Sequence, residues 1–176
     1  MPPTYSELSR LLENVGADTG AGQVAKAANQ VIVGLNIGAV AEALTLAKRA
    51  GVDLNKVREA LLGGFAASRV LEVHGQRMID RMFKPGGKVT TQFKDMSQAI
   101  ELAAEYGQRL PASELNRSLY EQLIKDGHGE LDHSALVLAV EEHGPELLDP
   151  QIAQLRAEVP EHLLAGEERA AAAQRA

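Results

Sequence analysis

The stretch QVAKAANQVIVGLNIGAVAEALTLAKRA, residues 23–50, decides the fold. Val24, Ala28, Val31, Leu35, Ala39 and Leu46 recur with the 3.6-residue period of a helix. Val33, Ile37, Val40 and Leu44 make its other side apolar as well. A helix apolar around most of its circumference belongs in the middle of a fold. The reading is therefore one long central helix, which at about 1.5 Å per residue would span roughly 40 Å. Gly34 and Gly38 stand four apart on one face, where small residues let a second helix come close, at about 1 kcal/mol each in helix propensity. Gly51 ends the helix. The most apolar part, residues 31–47, contains Asn36, Glu42 and Thr45. A span needs about 20 mostly apolar residues, and an unpaired carboxylate is expensive in lipid, so a buried helix is expected and no membrane.

Working outward, helical signals dominate. Thr4 and Glu7 form a capping box that predicts a linker helix within residues 1–15, followed by a Gly-rich break from Gly16 to Gly22. Beyond the long helix, Asp53 caps a helix to Leu62 that Gly63 and Gly64 stop. Ser68 caps the next, to about Arg81. Residues 83–93, FKPGGKVTTQF, read as a Pro-Gly-Gly turn and a brief β-prone run. Asp95 is then the expected N-cap of a helix to Tyr106, closed by Gly107. Leu110-Pro111 opens another to Lys125, and Asp132 caps one through Glu142. Residues 144–176 change character and close in EERAAAAQRA, where one or two weakly packed helices are expected. The class is all-α, divided into a linker helix at 1–15, a helical domain at 16–143 and an extra tail at 144–176.

Composition narrows the function. The chain has 176 residues, with 18 Lys and Arg against 24 Asp and Glu, a net charge of −6. A polyanion partner needs a basic footprint, so no nucleic acid is expected. Aromatic residues make up 3 % and there is no Trp, which removes a base-stacking platform. With no cysteine there is no disulfide, thiolate zinc site or cysteine nucleophile. No basic start followed by an apolar run opens the chain, and a cytoplasmic setting is expected.

Four constellations could carry chemistry. Gly20, Gly22 and Ala25 fit G-x-G-x-x-A, with Glu42 where a ribose-binding acid could stand, but the strand that should precede the glycines is missing. The bland reading is a flexible helix entry. Lys26, Asn29 and Gln30 share one face of the first turns of the long helix. Partial burial and the positive end of the helix dipole would lower a lysine's pKa there, as proton transfer requires; a solvent-facing first turn is the bland alternative. Phe93-Lys94-Asp95 reads as a cap with a basic neighbour. His74, His128, His133, His143 and His162 supply no ligand triad at a metal spacing, so no metal is expected, and His128 and His133 read as solvated loop residues.

Taken together, TGAGQVAKAANQVIVGLNIGAVAEALTLAKRAGVD at 19–53, then LLGGFAASRVLE, RMFKPGG, FKDM, LPASE and DGHGELDHSAL resemble the helical C-terminal domain of the β-hydroxyacid dehydrogenases. That family includes 3-hydroxyisobutyrate dehydrogenase and 2-hydroxy-3-oxopropionate (tartronate semialdehyde) reductase, and the second is the nearer likeness. The resemblance covers about residues 16–142. It implies the fold of a 6-phosphogluconate dehydrogenase C-terminal domain, and an oxidoreductase dependent on NAD or NADP. By its motif G-x-G-x-x-x-K, the catalytic lysine falls on Lys26, with Asn29 or Gln30 holding the substrate and Lys94 meeting the cofactor.

The implied substrate is a small 3-hydroxyacid or its aldehyde. The implied partners are a Rossmann domain, in cis or in trans, and a second copy in a homo-oligomer. Without the Rossmann domain the chain is expected to be inactive. Two departures stand out: relatives usually carry an aromatic residue where Gly87 stands, and residues 144–176 have no counterpart. They keep a second reading open, a non-catalytic oligomerisation or scaffold module descended from the family.

Overall fold

A computed structural model describes residues 20–143. The chain divides into two units near residue 141, and the fold below is that of the described residues. The expected linker helix at 1–15 and the tail at 144–176 lie outside the described residues.

Among the described residues six α-helices follow one another: α1 (Ala21–Arg49), α2 (Leu54–Leu62), α3 (Arg69–Asp80), α4 (Val89–Glu105), α5 (Pro111–Lys125) and α6 (Leu136–His143), with one 3-10 turn, His133–Ala135, before α6. Most boundaries are set by local chemistry. The Asp53 carboxylate accepts from the N–H groups of Asn55 and Lys56, and Ser68 Oγ from Leu71 N. Pro111 sits in the first turn of α5, where its missing N–H costs nothing. Gly51, Gly107 and Gly127 leave their helices with positive φ. Arg81 does the same at φ 54°, so α3 stops one residue short of expectation.

The start of α4 corrects the sequence reading. The helix begins at Val89, and Asp95 lies inside it. No side chain caps it. Instead the free N–H groups of its first turn reach the chain after α5: Val89 N donates to Leu131 O at 2.9 Å and Thr90 N to Gly129 O at 3.1 Å. The expected β-prone run reduces to one antiparallel bridge, Lys88 with Asp132.

Helix α1 has 29 residues and packs on α4, α3, α5 and α2. Its buried residues are Gly34, Ile37, Gly38, Val40, Ala41, Leu44 and Thr45. The two glycines do what their spacing predicted. A Cβ at Gly34 would stand 2.8 Å from Met96 Sδ of α4, and one at Gly38 would stand 2.5 Å from Asn116 Oδ1 of α5. Asn116 Nδ2 then donates to the Gly34 carbonyl at 2.9 Å, a buried bond that needs the close approach. The other apolar stripe is not in the core. Val24, Ile32 and Leu46 are 43 %, 62 % and 70 % exposed, and Ala28 and Ala39 are exposed too. So α1 is central along one face only. It is also long and apolar enough to cross a membrane, but in this fold that face is the spine of a helical core.

Candidate functional site

A groove of about 350 Å³ runs between α1 and α4. Gln23, Lys26 and Gln30, at offsets of three and four, line it from α1; Asp95, Gln98 and Glu101 line it from α4. The structure thus brings Lys26 and Gln30 into one site and adds Asp95. The partial burial expected of Lys26 is not found: the residue is exposed, because no residue of α1 before Gly34 is buried and the first turns project beyond the core.

The two amides take different positions. Asn29 Nδ2 donates to Gln30 Oε1 at 3.0 Å, and Gln30 Nε2 donates to Asp95 Oδ2. Gln30 is therefore committed at both ends, tying α1 to α4. Asn29, exposed beside it, keeps its carbonyl oxygen and second N–H for a ligand. Lys94 is exposed on α4 next to Asp95 but does not line the groove.

The alternative dinucleotide fingerprint fails on geometry. Gly20 caps α1, Gly22 lies in its first turn, and Glu42 is farther along the same helix. At about 1.5 Å per residue, Gly22 and Glu42 are roughly 30 Å apart, too far to hold one pyrophosphate and its ribose. Lys94, exposed on α4, is one cation that suits a phosphate of a dinucleotide. The described residues fit one edge of such a cofactor, not the whole of it.

A second cluster lies where α3, α4 and the turn before α6 meet, and sequence reasoning missed it. Asp132 is fully buried. Its Oδ2 accepts from the Arg77 guanidinium and from the backbone of Gly86 at 2.8 Å and Gly87 at 3.3 Å. Its Oδ1 accepts from Ser134 N at 3.1 Å and Ser134 Oγ at 2.6 Å. Burial raises the Asp132 pKa, but the His74 ring facing it and the hydrogen bonds from Ser134 and the Gly86 backbone outweigh that and hold the carboxyl far below the usual range.

His133 is not a solvated loop residue. Its ring stands edge-on to His74, with 4.5 Å between centroids and 3.3 Å between the Nε2 atoms. Its Nδ1 is 3.2 Å from Gln92 Oε1. Burial first, then His74 and Arg77, press its pKa down to about 4 against the pull of Asp132. Tyr120 donates to His133 O at 3.3 Å, and burial, with Asp132 nearby, keeps that hydroxyl protonated.

Ligand atoms of His74, Asp132 and His133 lie within 4.8 Å of one another. Both Asp132 oxygens are already committed to five donors, so the set reads as a hydrogen-bond network rather than a cation site. The signal in the sequence was His74 and Arg77, three apart on one helix face, but nothing local links them to Asp132. Gly87 finds its reason here as well. A Cβ on it would stand 3.2 Å from His133 Cε1, so the ring occupies the space a side chain would take.

Comparison with known proteins bears on this geometry. The family model described as "NAD-binding of NADP-dependent 3-hydroxyisobutyrate dehydrogenase" matches residues 20–140. The chain is 47 % identical over 139 residues to the 2-hydroxy-3-oxopropionate reductase of Escherichia coli K12, covering 79 % of this chain and 47 % of that protein. It is 33 % identical over 141 residues to the probable 3-hydroxyisobutyrate dehydrogenase-like 1, mitochondrial, of Arabidopsis thaliana, covering 80 % and 42 %.

Among solved structures, the 3-hydroxyisobutyrate dehydrogenase of Salmonella typhimurium superposes with a TM-score of 0.65 at 26 % identity, over 76 % of this chain and 49 % of that one. The Mycobacterium tuberculosis 3-hydroxyisobutyrate dehydrogenase, solved with L-serine, gives 0.61 at 26 % identity, over 69 % and 44 %. The chain thus spans about half the length of the curated relatives it matches.

Proposed function

The chain belongs to the 3-hydroxyisobutyrate dehydrogenase family by its helical, 6-phosphogluconate dehydrogenase C-terminal-like domain, and from that premise we propose that it is the helical half of an NAD(P)-dependent dehydrogenase or reductase of small 3-hydroxyacids. Lys26 is its proton-transfer residue. The observation that carries the reading is the shared groove: Lys26, Gln30 and Asp95, from two helices, line one opening large enough for a small organic acid.

In that groove the Lys26 ammonium gives its proton to the carbonyl oxygen of an aldehyde as the carbonyl becomes an alcohol. In the oxidative direction its free amine takes the hydroxyl proton. Asn29 orients the substrate carboxylate or hydroxyl. Gln30, held by Asp95, fixes the spacing between α1 and α4. Lys94, on the outer side of α4, meets the cofactor's edge. The nicotinamide, when bound, supplies the hydride. Its phosphates need the helix entry of a Rossmann domain, supplied in cis or in trans. The relatives' names point to 2-hydroxy-3-oxopropionate or 3-hydroxyisobutyrate as the substrate type, and L-serine in the mycobacterial structure is an acid of the same size.

The test joins this chain to a family Rossmann domain and measures turnover with glycerate, 3-hydroxyisobutyrate and 2-hydroxy-3-oxopropionate. Lys26→Ala should lower kcat about 10²- to 10⁴-fold, and the unjoined chain should turn nothing over. Unchanged activity in Lys26→Ala would remove the catalytic role. The exposed stripe of Val24, Ile32 and Leu46 is the pairing surface of a homo-oligomer, which both this reading and the non-catalytic oligomerisation or scaffold reading imply. Light scattering of Leu46→Glu against the wild type checks it, a smaller particle being the expected outcome.

A further inference from the structure

Two buried polar atoms of the α3–α4 cluster have no partner: His74 Nδ1 and Gln92 Nε2. Both stand at the ends of one chain of contacts, Gln92 to His133 to His74 to Asp132. The gap between the two Nε2 atoms, 3.3 Å, holds one hydrogen and no more. The polarity of that single bond is therefore set by its ends.

If His133 carries its proton on Nδ1 and His74 donates from Nε2, both orphans persist. The lone pair of His74 Nδ1 then faces the Asp132 carboxylate at 3.7 Å, an acceptor against an anion in a buried site. The opposite polarity turns the His74 Nδ1 contact with Asp132 from repulsive to attractive, and it leaves a Gln92 amide oxygen, rather than an N–H, without a partner. The Gln92 amide, whose two ends are nearly isosteric, turns over and donates to His133 Nδ1. His133 Nε2–H then donates to His74 Nε2. The proton of His74 moves to Nδ1 and points at Asp132 Oδ1.

We propose that His74 and His133 form a one-proton clasp of this polarity, and that the clasp is a pH-sensitive latch holding the 84–88 loop and the first turns of α4 against α3. The loop depends on the cluster directly. Gly86 N and Gly87 N donate to Asp132, His133 N donates to Gly87 O at 2.7 Å, and Gly87 lies on the His133 ring. Gln92 carries the effect into α4, two and three residues before Lys94 and Asp95.

The charged and titratable groups facing the pair are Arg77 of its own helix α3, Asp132 of the turn and Tyr120 of α5; α4 presents the uncharged Gln92. A proton added to His74 Nε2 puts two N–H groups face to face across the gap. A proton added to His133 Nδ1 turns the Gln92 amide back and creates a buried cation beside Arg77. Both routes load the clasp in acid, and the low pKa of His133 agrees with that resistance.

Nitrogen-15 correlation spectra of the imidazole rings in the full 176-residue chain test the proposal. The expected result at neutral pH is the Nδ1–H tautomer at His74 and the Nε2–H tautomer at His133. On acidification the Gly86 and Gly87 amide signals should move with those of the His133 ring. His74 protonated on Nε2 at neutral pH overturns the clasp; Gly86 and Gly87 signals that stay still while His133 titrates overturn the latch.

His74→Asn gives a second readout, because asparagine keeps a donor near the Nδ1 position for Asp132 and deletes the shared bond. Hydrogen-exchange protection at Gly86 and Gly87 should fall about tenfold at neutral pH. Unchanged protection in a folded variant rejects the latch, and should that variant not fold, the wild-type spectra decide.

Discussion

Helix α1 has two apolar faces with opposite surroundings. One carries Ile37, Val40 and Leu44 and is almost wholly buried; the other carries Val24, Ile32 and Leu46 and lies open. Hydrophobicity does not separate them. What separates them is side-chain size along the row Gly34, Gly38, Ala41 and Thr45, spaced by three and four on the buried face. Close packing needs small residues where backbones approach, and Asn116 can reach the Gly34 carbonyl only because Gly38 has no Cβ in its way. A partner helix settles where it can come nearest, since dispersion contacts fall off within an ångström.

Substitution at matched positions breaks or sharpens this comparison. Ile37→Ala, on the buried face, should cost about 2–5 kcal/mol in urea unfolding. Acid should come next. His133 has a folded pKa of about 4 against an ordinary 6.5, so the unfolded chain takes up its proton first as pH falls. Stability is then full above pH 6.5 and declines toward pH 4, by up to about 3 kcal/mol. Asp132 acts in the same direction below the ordinary carboxylate range, where the unfolded chain is again protonated first. A urea midpoint that is flat between pH 7 and 4.5 would show that the cluster does not support the packing of α3 and α4 on α1.

Gly38→Ala should be smaller, about 1–2 kcal/mol, because overpacking against Asn116 is partly offset by better helix propensity. Ile32→Ala should be smallest, within about 0.5 kcal/mol, as for other exposed positions. If Ile32→Ala costs as much as Ile37→Ala, the open face is covered in solution, and light scattering of the same variant would show whether a second copy covers it.

The same contrast explains what could be read in advance. The helices opened by Asp53, Ser68 and Pro111 were legible because their starts are satisfied within a few residues. The start of α4 was not: its first N–H groups are satisfied by Leu131 and Gly129, and Asp95 only looks like a cap from its neighbours. Lys26 and Gln30 were legible as one helix face, and their groove-mate Asp95 was in view under the wrong role. His133 reads locally as a solvated loop residue because its partners, His74 and Gln92, are remote in sequence. Lys26 was expected to be part-buried because a uniformly apolar pattern gives no sign of where along α1 the core begins.

The sequence by itself determined the helical class, the long first helix, the close-approach glycines and the family to which the helical domain belongs. Period, caps and small-residue spacing are local properties, and a chain must satisfy them wherever it goes. Only the tertiary structure decided which face of α1 is core, where α4 begins, that Gln30 is tied to Asp95, and that a buried carboxylate and two histidines join α3, the 84–88 loop and α4. These depend on pairings across long stretches of chain. Their geometry is set by which surfaces can pack most closely and which buried polar groups must find partners.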